Sequence, residues 1–320
     1  MVEVVRQERK GPILTPSSIP CLRNLPTINI TQGCALGCTY CYIKSYRGYP
    51  GPGRVVLFTN TAALVAEELK RKRKRPQRVY FSPSSDAFQY LPEVQQVTYD
   101  TMQVLLGAGV EVAFLTKGFV FNCFLVLFEK YPNLVHAQVG ITSLDHEVWR
   151  RLEPRTAPPL HRIRTMQALV SVGCRVTARL DPLIPELTDV SPGIETLMNS
   201  ISTTGVQFAA ASYLFLRPSF KRNVSSILKQ LKANQLPEEW THQEFADGCS
   251  SAQSISIDER RTRFQQLAEV GQQYGITVAP CGCKNPGLAD GSCHIAGAVQ
   301  HSQPNLLQPN LPFAQKGTIH

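Results

Sequence analysis

The segment GCALGCTYCY (33–42) places three cysteines, Cys34, Cys38 and Cys41, three and then two residues apart, in a loop framed by glycine and tyrosine. It directly follows the apolar, β-branched run TINIT (27–31), which predicts a strand. Three thiols so close together cannot all pair as disulfides. Their soft sulfurs suit an iron–sulfur cluster or zinc. Structural zinc normally takes four ligands, so a zinc loop here would need Cys21 or a histidine to complete it. A four-iron cluster held by three cysteines instead leaves one iron open.

Further strands are predicted at RVYFS (78–82), VEVAFLT (110–116), LVHAQVGIT (134–142), CRVTARLD (174–181) and VQFAAASY (206–213). Helical periodicity fills the intervals at 59–72, 93–106, 119–130, 161–172 and 193–201, with Asn or Thr as the first cap and Gly173 as a stop signal. Six strands alternating with helices predict an α/β fold, a partial (βα)6 TIM-like barrel with right-handed crossovers. Such barrels carry their chemistry on the loops after the strands, where GCALGCTYCY falls.

The pattern divides the chain into an N-terminal extension (1–24), the barrel (25–215) and a C-terminal extension (216–320). The last part carries helices at 221–233 and 258–274, a short strand ITVAP, and the cysteine-bearing stretch PCGCKNPGLADGSCHIAG. There Cys281, Cys283 and Cys293 form a second group, with His294, Cys249, solvent or the substrate itself as a further ligand. Glycines let such a loop wrap a metal, and a second iron–sulfur cluster is expected, with zinc as the alternative. Cys123 and Cys174 fall in apolar contexts and are expected in the core. Cys21 is expected at the N-terminal edge of the barrel, and His136 and His161 as hydrogen-bonded structural residues.

With 320 residues, 43% apolar and 18% charged, the chain has ordinary globular composition. The charged start MVEVVRQERK lacks the apolar core of a secretory signal, and FVFNCFLVLF (119–128) is too short to span a bilayer. A soluble cytoplasmic protein without a membrane partner is expected. Much of the formal charge of +9 lies in LKRKRKRPQR (69–78), which predicts the solvated end of a surface helix rather than a phosphate grip.

Cys-x3-Cys-x2-Cys after the first strand of a partial barrel, with Tyr40 before the third cysteine, resembles the radical S-adenosylmethionine (SAM) superfamily. The resemblance implies a 4Fe-4S cluster on Cys34, Cys38 and Cys41, with SAM chelated at the open iron and cleaved to a 5′-deoxyadenosyl radical. It also implies a reducing partner such as flavodoxin or ferredoxin. Polar groups at later strand ends would hold SAM: Ser84, Ser85 and Asp86 its ammonium, Arg179 its carboxylate through a planar fork, and Ser143 its ribose, with Lys117 at the third strand end.

CTYCY, the Ser-Ser-Asp of the second strand end, SLDHEVWRRLEPRTAPP and RLDPLIP together resemble the spore photoproduct lyase-like, DNA repair photolyase-like branch. That branch implies a hydrogen-donating cysteine near the second strand end, assisted by tyrosines that here would be Tyr40 and Tyr42. The stretch reads Phe81-Ser82-Pro83-Ser84-Ser85-Asp86, with no thiol. The leading expectation is therefore a radical SAM enzyme acting on a small molecule, peptide or nucleic acid, with DNA-lesion reversal second. A non-catalytic, metal-stabilised nucleic-acid-binding protein is the reading of another class. Arg150, Arg151, Arg155 and Arg217 either face the cavity and receive an anionic substrate or brace loops with Glu147 and Glu153; the sequence leaves both roles open.

Overall fold

The computed structural model describes residues 2–17, 22, 24–244, 251–285 and 287–288. The chain opens with strands β1 (Glu3–Gln7), β2 (Thr15–Pro16), β3 (Pro26–Ile28), β4 (Thr31–Gln32) and β5 (Arg54–Phe58). Helix and strand then alternate through α1 (Thr61–Arg71), β6 (Arg78–Phe81), α2 (Pro92–Gly107), β7 (Glu111–Thr116), α3 (Asn122–Glu129) and β8 (Val135–Gly140). Two helices follow, α4 (His146–Leu152) and α5 (Pro159–Ser171), then β9 (Arg175–Leu183), α6 (Gly193–Ser202), β10 (Phe208–Tyr213) and α7 (Pro218–Gln230). The hairpin β11 (Thr241–Glu244) and β12 (Ser251–Ser254), helix α8 (Ile257–Gln273) and β13 (Thr277–Pro280) close the described part.

Among the described residues the main sheet has the order β13-β10-β9-β8-β7-β6-β3-β2. All neighbours from β3 to β13 are parallel, and only β2 runs antiparallel. β6 and β8 are buried at every position, as a parallel strand covered on both faces must be. Phe81, Phe88, Phe114, Phe124 and Phe128 fill the space between β6, β7 and the helices α2 and α3, with Phe88 edge-on to Phe124 at 4.9 Å.

The six predicted strands all form, and ITVAP adds a seventh parallel strand, pairing along β10 from Phe208↔Thr277 to Ala211↔Pro280. The C-terminal end of β13 therefore opens on the same face as the other strand ends. The first predicted strand is split: it leaves the barrel after Ile28, and Thr31–Gln32 pairs antiparallel with β5. Asn29 breaks the ladder because its side-chain oxygen receives the amide and hydroxyl of Ser84, at 3.1 and 2.9 Å.

Cys123 is exposed, against expectation, because α3 buries Phe124, Leu127 and Phe128 and residue 123 lies off that stripe. Cys174 is buried as expected. The basic run is exposed through 71–75, but Arg78 turns inward.

At the starts of β6, β7 and β8, Arg78 and His136 converge on Glu111: Arg78 Nε lies 2.6 Å and His136 Nε2 2.9 Å from its carboxylate. Burial, with the adjacent Arg78 charge, lowers His136 from 6.5 to about 4. A depressed histidine value favours the fold above the unfolded pKa, so stability is lost as pH falls from about 6.5 to about 4. Thermal melts across this window should show wild type losing roughly 2 kcal/mol more than His136→Gln. Parallel pH dependences of the two proteins would refute the assignment.

Candidate active site

The three-cysteine loop is fixed by its neighbours before any ligand is considered. Gln89, fully buried, receives the Ala35 amide at 2.5 Å and donates to Thr31 Oγ1 at 2.9 Å and to the Asp86 carbonyl at 2.8 Å. The Thr39 amide donates to the Leu152 carbonyl at the end of α4, at 2.9 Å, and Lys44 Nζ to the Cys38 carbonyl at 2.6 Å. Gly37 has φ +66°, and a β-carbon there would stand 2.6 Å from Arg155 Nη2, so the loop accepts only glycine without displacing that guanidinium.

All three thiols line one cavity of about 690 Å³, and none is in a disulfide. That volume lies in the ~300–1,000 Å³ range of sites that enclose a cofactor or drug-sized ligand. Burial raises all three thiols: Cys34 well above its ordinary value, Cys38 to about 12 with Glu153 adding to the effect, and Cys41 to a lesser degree. Among the described residues no three His, Cys, Asp or Glu side chains close on one ion-sized point.

Beneath the loop lies a buried ionic network. Glu153 accepts from Lys117 Nζ at 2.6 Å and Arg162 Nη2 at 2.5 Å, and Tyr40 donates its hydroxyl to the same carboxylate. Burial alone would raise Glu153, but the Arg162 and Lys117 charges hold it at about 2. Lys117 Nζ also reaches the Tyr40 hydroxyl at 2.5 Å and the Asp181 carbonyl at 2.7 Å. An ammonium has three donors, and all three are thus spent on protein acceptors. Burial first, and then the Glu153 charge, push the Tyr40 phenol well above its ordinary value, so it stays protonated.

A second ionic group adjoins the first on the same cavity, joined to it by the Lys117–Asp181 contact. Asp181 accepts from Arg179 Nη2 and from Lys284 Nζ, both at 2.9 Å, and Arg179 also bonds the Cys281 thiol. Burial opposes the charge on Asp181, yet Lys284 and Arg179 hold its carboxyl far below the usual range. Cys281 is fully buried, its sulfur 3.5 Å from that of Cys283, and Cys283 and Lys284 line the same cavity as the first three cysteines. The loop after β13 therefore shares its cavity with the loop after β4.

The structure gathers Cys34, Cys38, Cys41, Tyr40, Tyr42, Ser85, Asp86, Lys117 and Arg179 on that cavity, together with Cys283. Tyr42 donates its hydroxyl to the Pro83 carbonyl. Asp86 does not present a free carboxylate: it receives Phe88 N, Lys117 N and Thr116 Oγ1 at 2.8 to 2.9 Å, while burial raises its pKa against those bonds. Ser84 turns to Asn29, and Ser143 Oγ accepts from Asp145 N as part of the α4 cap; neither lines the cavity. Cys293, His294, Cys249 and Cys21 lie outside the described residues. The residues missed from sequence were Gln89, Arg162 and Lys284: Gln89 and Lys284 meet Thr31 and Asp181, 58 and 103 residues away, and Arg162 meets Glu153 and the Gly140 carbonyl from another element.

A family model described as the radical SAM superfamily matches residues 28–192. An uncharacterized protein of Mycobacterium tuberculosis is 27% identical over 202 residues, covering 60% of this chain and 59% of that protein. One from Methanocaldococcus jannaschii is 25% identical over 191 residues, covering 59% and 71%. The chain thus spans about three fifths of its mycobacterial relative's length. Among solved structures, a cysteine-to-serine variant of spore photoproduct lyase superposes with TM-score 0.65 and 14% identity, covering 86% of this chain and 81% of that one. Its complex with dinucleoside spore photoproduct gives TM-score 0.64, also at 14% identity and with the same coverage. At that identity the likeness is one of fold. No helix among the described residues is long and apolar enough to cross a membrane.

Proposed function

This chain belongs to the radical SAM superfamily, and on that premise we propose that it is a radical enzyme acting on an organic substrate in the cavity between the β4 and β13 loops. The observation that carries the reading is that three thiols of one braced loop, none in a disulfide, line a cavity together with Arg179 and Lys284. Three thiolates with no fourth in the loop fit a 4Fe-4S cluster with one open iron. With SAM on that iron and an electron from a flavodoxin- or ferredoxin-type donor, the group would supply hydrogen-atom abstraction through a 5′-deoxyadenosyl radical, with methionine as the other product of SAM cleavage.

The protein residues do the positioning. Arg179 is assigned to the SAM carboxylate: it is 2% exposed, lines the cavity, and carries the planar fork that matches a carboxylate. Ser85, which lines the same cavity, is assigned to the ammonium end. Lys117 and Asp86 brace, the first under Tyr40 and the second by joining the β6 and β7 loops. Tyr42, with its ring on the cavity, is the tyrosine placed to meet the substrate; Tyr40 anchors the loop. The loop after β6 holds Ser82, Ser84 and Ser85 and no thiol, which favours a reaction other than photoproduct reversal.

Cys281 and Cys283 are assigned as ligands of a second iron–sulfur group facing the first. Cys283→Ala should lower the iron content of reconstituted protein by about half while SAM cleavage persists in uncoupled form. Unchanged iron in that variant would remove the second group. The primary test is anaerobic reconstitution followed by dithionite and SAM: iron, sulfide and 5′-deoxyadenosine are expected, whereas zinc without deoxyadenosine would overturn the reading.

A further inference from the structure

We propose, building on the radical-enzyme reading, that the substrate is an organic anion whose phosphate or carboxylate docks on Arg155 at the cavity mouth, with Arg217 as a second cation. Among the described residues six basic side chains line the cavity, Lys44, Lys117, Arg155, Arg179, Arg217 and Lys284, against the acids Asp86 and Asp181. Most of that charge is already committed. Lys44 bonds the Cys38 carbonyl, Lys117 pairs with Glu153, and Arg179 and Lys284 share Asp181.

Arg155 differs. It makes no hydrogen bond or ion pair with any described residue, and it is exposed at the mouth. Its backbone is flanked by the buried Glu153 and Thr156, 1% and 2% exposed, and its guanidinium lies against Gly37, where a side chain would collide with it. A guanidinium fork with no described acid bonded to it is suited to a bidentate oxyanion. The sequence left Arg150, Arg151, Arg155 and Arg217 between bracing and binding. The structure separates them: Arg151 reaches Gln230 at 2.9 Å and Glu147 at 4.0 Å, and neither it nor Arg150 lines the cavity.

Arg217 enters from another wall, at the N-cap of the 13-residue helix α7, whose positive end adds to its charge. Tyr42 and Tyr46, each 39% exposed and edge-to-face at 5.5 Å, line the same cavity and offer ring surface to the substrate's carbon skeleton. The cationic excess also draws anions toward the mouth.

The test is calorimetric titration of the full-length reconstituted protein, with and without saturating SAM, using inorganic phosphate, pyrophosphate and succinate as probes. Wild type is expected to bind at least one probe in the presence of SAM. Arg155→Gln should weaken that binding about tenfold or more, the loss expected for a charged bidentate contact, Arg155→Lys should weaken it less, and Arg151→Gln should match wild type. A preference for pyrophosphate marks a phosphorylated substrate, and a preference for succinate a carboxylate. The proposal is overturned if no probe binds, if Arg155→Gln binds as wild type does, or if SAM displaces the anion, which would make Arg155 the partner of the SAM carboxylate. Failure of the radical-enzyme reading would show separately in the same preparation, as absent iron and absent deoxyadenosine.

Discussion

Cys38→Ala is expected to abolish cluster loading at the first site and, with it, deoxyadenosine formation, a loss of at least about a hundredfold in the quenched assay. Cys38 is the middle thiol of the loop, on the short segment between Gly37, held against Arg155, and Thr39, bonded to Leu152. Both flanks are fixed, so Cys34 and Cys41 cannot shift to supply the missing ligand. Fold stability should change little, because the loop's anchors at Gln89, Leu152 and Lys44 bond backbone atoms rather than the thiol. A variant that keeps its iron and still forms deoxyadenosine would sink the assignment of the loop; one that merely unfolds would be seen in its melting curve.

Glu153→Gln should have the largest effect on stability. The carboxylate is 1% exposed and serves two buried cations and the Tyr40 hydroxyl. An amide keeps the shape and removes the charge, leaving Lys117 and Arg162 facing a neutral group. Breaking a buried pair from one side costs about 3–5 kcal/mol, which for a domain of this size lowers the melting temperature by roughly 5–10 °C. Because Tyr40 sits between Cys38 and Cys41, the same change should also loosen iron retention. Lys117→Met combined with Glu153→Gln should destabilise by less than the sum of the two single changes, since the residues share the interaction. Strict additivity, or an unshifted melt for Glu153→Gln, would show that the network contributes nothing.

The architecture was readable because its signals are local. Apolar runs such as VHAQV and RVYF are buried on both faces, and turn residues mark where they stop. The three cysteines announced themselves by spacing alone. What escaped were features made by distant partners. Asn29 reads as a strand residue until Ser84 claims its side chain, and EVVRQ reads as an extension until β5 pairs with it. Lys117 and Asp86 were expected to hold a cofactor because they stand at strand ends, but their bonding groups are taken by Tyr40, Glu153 and the β7 loop. Position told where the polar groups lie; the count of donors and acceptors told which of them remain available.

The pairing of β13 with β10 also bears on when the protein can mature. Cys283 and Lys284 reach the cavity only after the ribosome has passed them, because they follow the strand that docks along Phe208 to Ala211. A nascent chain that has made the first ten strands already displays Cys34, Cys38 and Cys41, but one side of their chamber stands open to water and oxygen. Its β10 edge, carrying the small residues Ala209, Ala210 and Ala211, is meanwhile bare and able to pair with another chain. Iron delivered after synthesis would meet a chamber walled by the β13 loop; iron delivered during it would meet one lacking that wall. Premature termination before residue 277 would therefore yield chains that lose their metal and aggregate, even though every residue matched by the family model is present.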